Sequence, residues 1–284
     1  MIESQKKKFV INSSGEREVF SEKKIFYSLR RSGASKETAN KIVNEVKEAS
    51  RQDMRTSDIF RLAKRNLEAD QMKIALKFSL KESIKALGPA GFIFEKYVAE
   101  IFKQYNYSVK IGQIISGRCI TYEMDLIAKK EKVIYLGECK YRNQPGEKID
   151  VNVCLKEFAL LSDVRKGRYF ANDIDCSLQS LIITNTKFTE QAIKYCECEG
   201  LYMLGWRYPK EGGLEKLIED KKLYPITILP SFKKYLMDFF VGRNMMLAKN
   251  ILEIKDIAKF AQTAKISVKS MQDLYNDARI LLED

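Results

Sequence analysis

Histidine is absent from all 284 residues, and that absence removes whole classes of chemistry. No Ser-His-Asp or Cys-His relay can be assembled without it, and neither can a His-ligated metal centre. Cysteine is sparse, at six. Cys196-Glu197-Cys198 is a CxC, and Cys119, Cys139, Cys154 and Cys176 are scattered, so the chain has no CxxC pair of the kind zinc sites use. Nothing suggests a disulfide framework, and a reducing compartment fits this usage. No apolar run reaches the roughly 18 residues that a membrane span requires. The start, Met1 to Gln5 followed by Lys6-Lys7-Lys8, has no apolar signal-peptide core. The expectation is a cytoplasmic protein without a membrane partner. Any hydrolytic chemistry must then rest on carboxylates, lysine and a hard metal ion.

Positive charge is abundant. The formal net charge is +12, which favours polyanionic partners, nucleic acid first. An acidic membrane is the other candidate, but no basic amphipathic helix with Trp or Phe on its apolar face stands out.

The chain reads as three regions, 1–87, 88–229 and 230–284. In the first, Phe9-Val10-Ile11 and Glu18-Val19-Phe20 flank an Asn12-Ser13-Ser14-Gly15 turn, a hairpin pattern. Helices follow: one capped by Ser21 and ended by Gly33, one from Ser35 carrying Ala39, Ile42, Val43 and Val46, and one with Thr56 as its N-cap and Ile59, Leu62, Ala63 and Leu67 on one face. A fourth is expected from about Asp70 to Leu87. Gly88-Pro89-Ala90-Gly91 breaks the pattern. The second region then runs helix, three strands (about 107–115, 119–128 and 132–139), helix near 150–165, strand at 181–184, helix near 188–198 and strand at 201–204. That order predicts an α/β domain with a mixed sheet. From Pro230 the pattern is helical again. Trp206 and Tyr208 read as core and turn, and Lys255, Lys259, Lys265 and Lys269 as a solvated face.

The chemistry concentrates on two strands of the second region. One holds Glu123-Met124-Asp125, the next Glu138-Cys139-Lys140. The side-chain period of two puts Glu138 and Lys140 on one face. If the two strands form a hairpin, Asp125 sits beside them. Paired carboxylates resist joint ionisation unless a cation lies between them, and Mg²⁺ (or Mn²⁺), with its preference for oxygen ligands, is the natural one. Asp125 and Glu138 are the candidate metal ligands, and Lys140 would orient a water or stabilise developing charge. The bland alternative is a cross-strand salt bridge. Apolar residues flank the triple on both strands, and unused charge there would be costly.

With those residues in view, the run from Gly91 to Trp206 resembles the catalytic domain of Mrr-like restriction endonucleases, within the PD-(D/E)XK nuclease superfamily. The resemblance rests on Phe94-Glu95 of the opening helix, Glu123-Met124-Asp125, Glu138-Cys139-Lys140, and the Thr184-Asn185-Thr186-Lys187-Phe188-Thr189 turn before a helix with Ala192 and Tyr195. It implies metal binding at Asp125 and Glu138, service of the nucleophilic water by Lys140, and an acidic contribution from Glu95. Many such proteins carry a Gln on the helix after the lysine strand. The segment Val151 to Glu157 has none, which leaves open whether Lys156 stands in for it.

Residues 8–85 resemble an ATP-cone, the nucleotide-sensing domain best known in ribonucleotide reductases, through Val10, Gly15, Glu18, Phe20, Lys24-Ile25, Ser28-Leu29, and Thr56 with Ile59. The resemblance implies ATP or dATP as an effector, contacted by Lys24 and Thr56, with the hairpin (Val10, Asn12, Gly15, Glu18) and Ile25 around it. The family's basic pair in the hairpin turn is replaced here by Asn12 and Ser13. Residues 1–85 hold 20 Lys and Arg against 12 Asp and Glu, a surplus that also suits DNA phosphates.

The expectation is a metal-dependent DNA endonuclease, a phosphodiester hydrolase regulated by nucleotide and acting in restriction, phage defence or DNA repair. A homodimer or higher oligomer is expected from double-strand cutting. Two alternatives stay open: a non-cleaving, nucleotide-sensing DNA-binding regulator, and RNA as the substrate.

Overall fold

The computed structural model describes residues 8–88, 91–144 and 146–283. Lys6, Lys7 and the Pro89 of the expected break lie outside them. The fold is α/β, with mixed sheets and several helices. The chain divides into two compact units, Met1–Glu82 with Tyr275–Asp284, and Ser83–Leu274. The helices of 230–284 are therefore distributed over both.

The first unit opens with β1 (Phe9–Ile11) and β2 (Arg17–Val19), an antiparallel hairpin. Asn12 closes its turn, accepting from the Ser14 and Glu16 N–H groups at 2.9 and 3.0 Å. This local side-chain turn is one that Asn favours. Helix α1 (Glu22–Arg31) is capped by the Ser21 hydroxyl, which accepts from the Lys24 N–H, and α2 (Lys36–Ala49) is capped by Ser35. Strand β3 (Met54–Arg55) pairs in parallel with β1. Helix α3 (Thr56–Asp70) follows directly. The expected Thr56 cap is corrected here. Pairing with β1 keeps Arg55 extended, so Arg55 is the cap position and Thr56 the first helical residue, with no side-chain cap bond. The single fourth helix is corrected as well. It is two helices, α4 (Met72–Phe78) and α5 (Leu80–Lys85). At Ser79 the N–H reaches both Ala75 and Leu76 carbonyls and the hydroxyl donates back to Leu76 at 2.8 Å, competition that loosens a helix. The core gathers Val10, Leu29, Ile42, Val46, Ala63 and Leu67, with Phe60 stacked on Phe78.

The second unit follows the expected order. Helix α6 (Gly91–Gln104) leads into β4 (Ser108–Ser116), β5 (Thr121–Lys130) and β6 (Val133–Lys140). Then come β7 (Lys148–Ile149), α7 (Val151–Lys166), β8 (Ser177–Thr184), β9 (Lys187–Phe188), α8 (Glu190–Glu199) and β10 (Tyr202–Leu204). The main sheet runs β10-β8-β6-β5-β4. β4, β5 and β6 form an antiparallel meander, and β8 and β10 join in parallel. A parallel neighbour requires a crossover, which α7 and α8 supply. The sequence pattern did not signal β7 and β9, which pair with each other away from the main sheet. Asp163 of α7 pins the β4–β5 turn, accepting from the Cys119 and Ile120 N–H groups and from the Tyr122 hydroxyl. The turn approaches so closely that a Cβ on Gly117 would lie 2.1 Å from the Asp163 carboxylate.

After β10 come α9 (Leu214–Asp220), short 3-10 turns at 226–228 and 234–236, α10 (Met237–Val241), α11 (Lys249–Leu252), α12 (Ile257–Thr263) and α13 (Val268–Leu282). Phe232, Phe239, Phe240 and Phe260 pack edge-on or tilted in this part. Trp206 is buried. Among the described residues, no helix is long and apolar enough to cross a membrane.

Candidate active site

The candidate site forms where β5 and β6 stop pairing backbone to backbone. Their ladder ends at Leu126 opposite Gly137. One step further on, Asp125 turns its side chain into the gap, and its Oδ2 accepts the Cys139 N–H at 2.7 Å. Gly137 makes the approach possible, because a Cβ there would lie 2.9 Å from the Leu126 Cβ. Asp125 thus closes the strand pair with one of its oxygens.

Glu138 and Lys140 share a face, as the strand period requires, and the Lys140 ammonium donates to Glu138 Oε1. Lys156 reaches the same oxygen from α7, at 3.6 Å. Lys156 is thus a second cation beside Glu138. On the far side of β6, β8 runs in parallel with Lys140 opposite Thr184. The Thr184 hydroxyl donates to the Lys140 carbonyl at 2.6 Å. Asn185 clamps Arg142, accepting its N–H at 2.8 Å and donating to its carbonyl at 2.7 Å. The Thr-rich turn therefore fixes the backbone that presents Lys140.

Burial sets the electrostatics. Glu138 is only 6% exposed. Desolvation and the charges of Asp125, Glu138 and Glu123 push the Glu95 carboxyl on α6 up to about 7. The Asp125 carboxyl is also raised, by burial first and by the Glu138 charge, against the lowering effect of the Cys139 N–H. Burial pulls the Lys140 ammonium down, but its bond to Glu138 and the nearby carboxylate charges outweigh this and leave it raised. Asp125, Glu138, Lys140 and Glu95 thus come together in one cluster.

One member was not singled out in the sequence. Glu157 of α7 is fully buried, and neither of its carboxylate oxygens has a hydrogen-bond partner among the described residues. Desolvation, followed by the Glu138 charge, raises its carboxyl to about 7. The signal was available: Cys154, Glu157, Leu160, Leu161 and Val164 are the buried stripe of α7, so a carboxylate stands at an apolar address in the helical period.

The donor set fits a hard divalent cation. It consists of oxygen ligands, in carboxylate excess over two lysines, with the buried Glu157 oxygens left without partners among the described residues. Among the described residues, no three His, Cys, Asp or Glu side chains converge to cage a metal ion by themselves. Mg²⁺ commonly takes one or two carboxylates and keeps several waters, so Asp125 and Glu138 suffice as direct ligands.

The nucleotide candidates in the first unit are arranged differently. Lys24 donates to both Glu18 oxygens at 3.0 Å. Asn12 and Gly15 build the hairpin turn, where Gly15 has φ +83°. Val10 is buried and Ile25 packs on the same core. Thr56 opens α3, one residue after the β3 position that pairs with Ile11. Lys24 and Glu18 are in contact, while Val10 and Ile25 serve the core.

No protein-family profile matches the chain. It is 32% identical to an uncharacterized protein of Archaeoglobus fulgidus over 177 residues, covering 59% of this chain and 94% of that protein. A crystal structure of a protein of unknown function superposes with a TM-score of 0.56 at 28% identity, covering 67% of this chain and 97% of that one.

Proposed function

We propose a function for a chain that belongs to the family of the uncharacterized Archaeoglobus fulgidus protein: it is a nuclease of the PD-(D/E)XK type, dependent on Mg²⁺ or Mn²⁺, that hydrolyses DNA phosphodiester bonds. The observation that carries this reading is the meeting of Asp125, Glu138, Lys140 and Glu95 at the divergence of two central strands, partly buried and in carboxylate excess. A salt bridge kept only for stability needs one carboxylate and one lysine, and burying more is unfavourable.

Asp125 and Glu138 would hold the cation, which when bound polarises a phosphoryl oxygen and acidifies a water. Lys140, fixed by Glu138 and by the Thr184 clamp on its backbone, orients that water and offers charge to the phosphate. Glu95, raised to about 7, is poised to exchange a proton near neutral pH. The surplus of positive charge draws the polyanion in. ATP or dATP at the first unit is the proposed effector, and a homodimer the proposed cutting form. A cytoplasmic place in restriction, phage defence or repair is proposed with it.

The test is incubation of the purified protein with supercoiled plasmid and Mg²⁺ or Mn²⁺, with and without ATP. Nicked or linear product that vanishes with EDTA is expected. Intact plasmid under every condition, with DNA retained in a binding assay, would instead establish the non-cleaving regulator.

A further inference from the structure

Glu157 is placed where a carboxylate is hardest to keep. It occupies the apolar stripe of α7 between Cys154 and Leu160, is fully buried, and has no partner for either oxygen among the described residues. The two nearby lysines do not serve it. Lys140 donates to Glu138, and Lys156, its own chain neighbour, turns its ammonium to Glu138 as well. Its chain neighbour Lys156 reaches Glu138 from α7 at 3.6 Å, which puts this turn of the helix beside the cluster, and Glu138 is the strongest charge acting on Glu157. A leucine would satisfy the stripe, and a buried polar group without a partner is retained only against a cost. What such a carboxylate lacks is a cation or a water held by one.

We infer that Glu157 is a third carboxylate of the cation site, its two oxygens satisfied by the water shell of the divalent ion that Asp125 and Glu138 hold. The inference rests on the nuclease reading and adds to it. It assigns the helix after the lysine strand a part in holding the ion, where that reading gives the helix only Lys156. Groups that hold a metal's waters and ligands tune its affinity strongly, commonly 10- to 100-fold when removed.

The experiment is calorimetric titration of the full chain with Mn²⁺ in the absence of DNA, together with melting curves in EDTA. It uses wild type, Asp125→Ala, Glu157→Gln and Glu157→Leu, the last keeping the stripe apolar if the amide packs badly. Wild type is expected to bind Mn²⁺. Both Glu157 variants are expected to bind about 10- to 100-fold more weakly, while melting in EDTA at or above the wild-type temperature. Mn²⁺ affinity within twofold of wild type in both variants overturns the inference and leaves the nuclease reading standing. Wild type that binds no Mn²⁺, with Asp125→Ala indistinguishable from it, overturns both.

Discussion

The two units each carry candidate residues and treat their charges in opposite ways. In the second unit, carboxylates are drawn into a half-buried cluster in which they outnumber the lysines and one, Glu157, has no partner among the described residues. In the first unit, Lys24 and Glu18 satisfy each other at the surface, with side chains 67% and 32% exposed, and Asn12 spends its side chain on the turn. Burying uncompensated charge is expensive, whereas an exposed ion pair contributes only about 0–1 kcal/mol. The difference separates a place where the fold tolerates strain, the usual mark of a working site, from one where the ligand would have to compete for residues already content.

The largest expected effect breaks the second unit's side of this contrast. Asp125→Ala and Glu138→Ala each remove a proposed metal ligand and should lower plasmid cleavage by about 10²-fold or more, the scale of lost electrostatic stabilisation. Circular dichroism should remain folded. Lys140→Ala should lose cleavage yet keep Mn²⁺-dependent DNA binding. Wild-type nicking by either carboxylate variant would return the cluster to a structural role. Equal loss of cleavage and binding in the lysine variant would give Lys140 a phosphate-binding or a structural role instead.

A smaller effect reads the cluster's strain without any substrate. The Glu157 carboxyl is raised from 4.5 to about 7 in the folded protein. A group raised by folding adds stability that is complete below its unfolded value and is lost as pH climbs through its folded value. In EDTA, the stability of Glu157→Gln relative to wild type should therefore grow between about pH 4.5 and 7 and level off on either side. A tenfold change in proton affinity is worth roughly 1.4 kcal/mol, so the growth should be at most about 3 kcal/mol. Urea melts at pH 4, 5.5, 7 and 8 would show it, and a pH-independent difference would mean that folding leaves the proton affinity of Glu157 unchanged.

Much of this arrangement could be read from the chain. The strand-like segments at 119–128 and 132–139 anticipate β5 and β6, and their pairing as a hairpin places Asp125 beside Glu138. What was not legible depended on partners remote in sequence. β3 is two residues long, too short for any periodicity, and exists only through its pairing with β1. That pairing is what moves the start of α3 onto Thr56. The role of Thr184 and Asn185 needs the parallel register of β6 with β8. Glu157 lay in plain view as a charge at an apolar helical position, but only the packing of α7 shows that nothing answers it.

The smallest expected effect concerns the first unit. A triphosphate that binds through Lys24 must first take it from Glu18, whose two oxygens it contacts at 3.0 Å. An exposed pair of this kind is worth about 0–1 kcal/mol, so the displacement weakens binding at most several-fold and does not forbid it. The helix start offers compensation, since the N-terminal end of α1 follows the Ser21 cap and favours negative charge. Calorimetry with ATP and dATP should therefore show binding to wild type, none to Lys24→Ala, and tighter binding to Glu18→Gln, which frees the lysine without adding charge. If ATP also alters cleavage or oligomeric state, the coupling must come from unequal affinity for two conformations, typically about 1–3 kcal/mol, and the same variants should shift it in the same order. No heat at millimolar nucleotide in wild type and Glu18→Gln alike would mean that the Lys24–Glu18 pair is the finished state of this surface, with Asn12 and Ser13 marking a hairpin that holds no nucleotide.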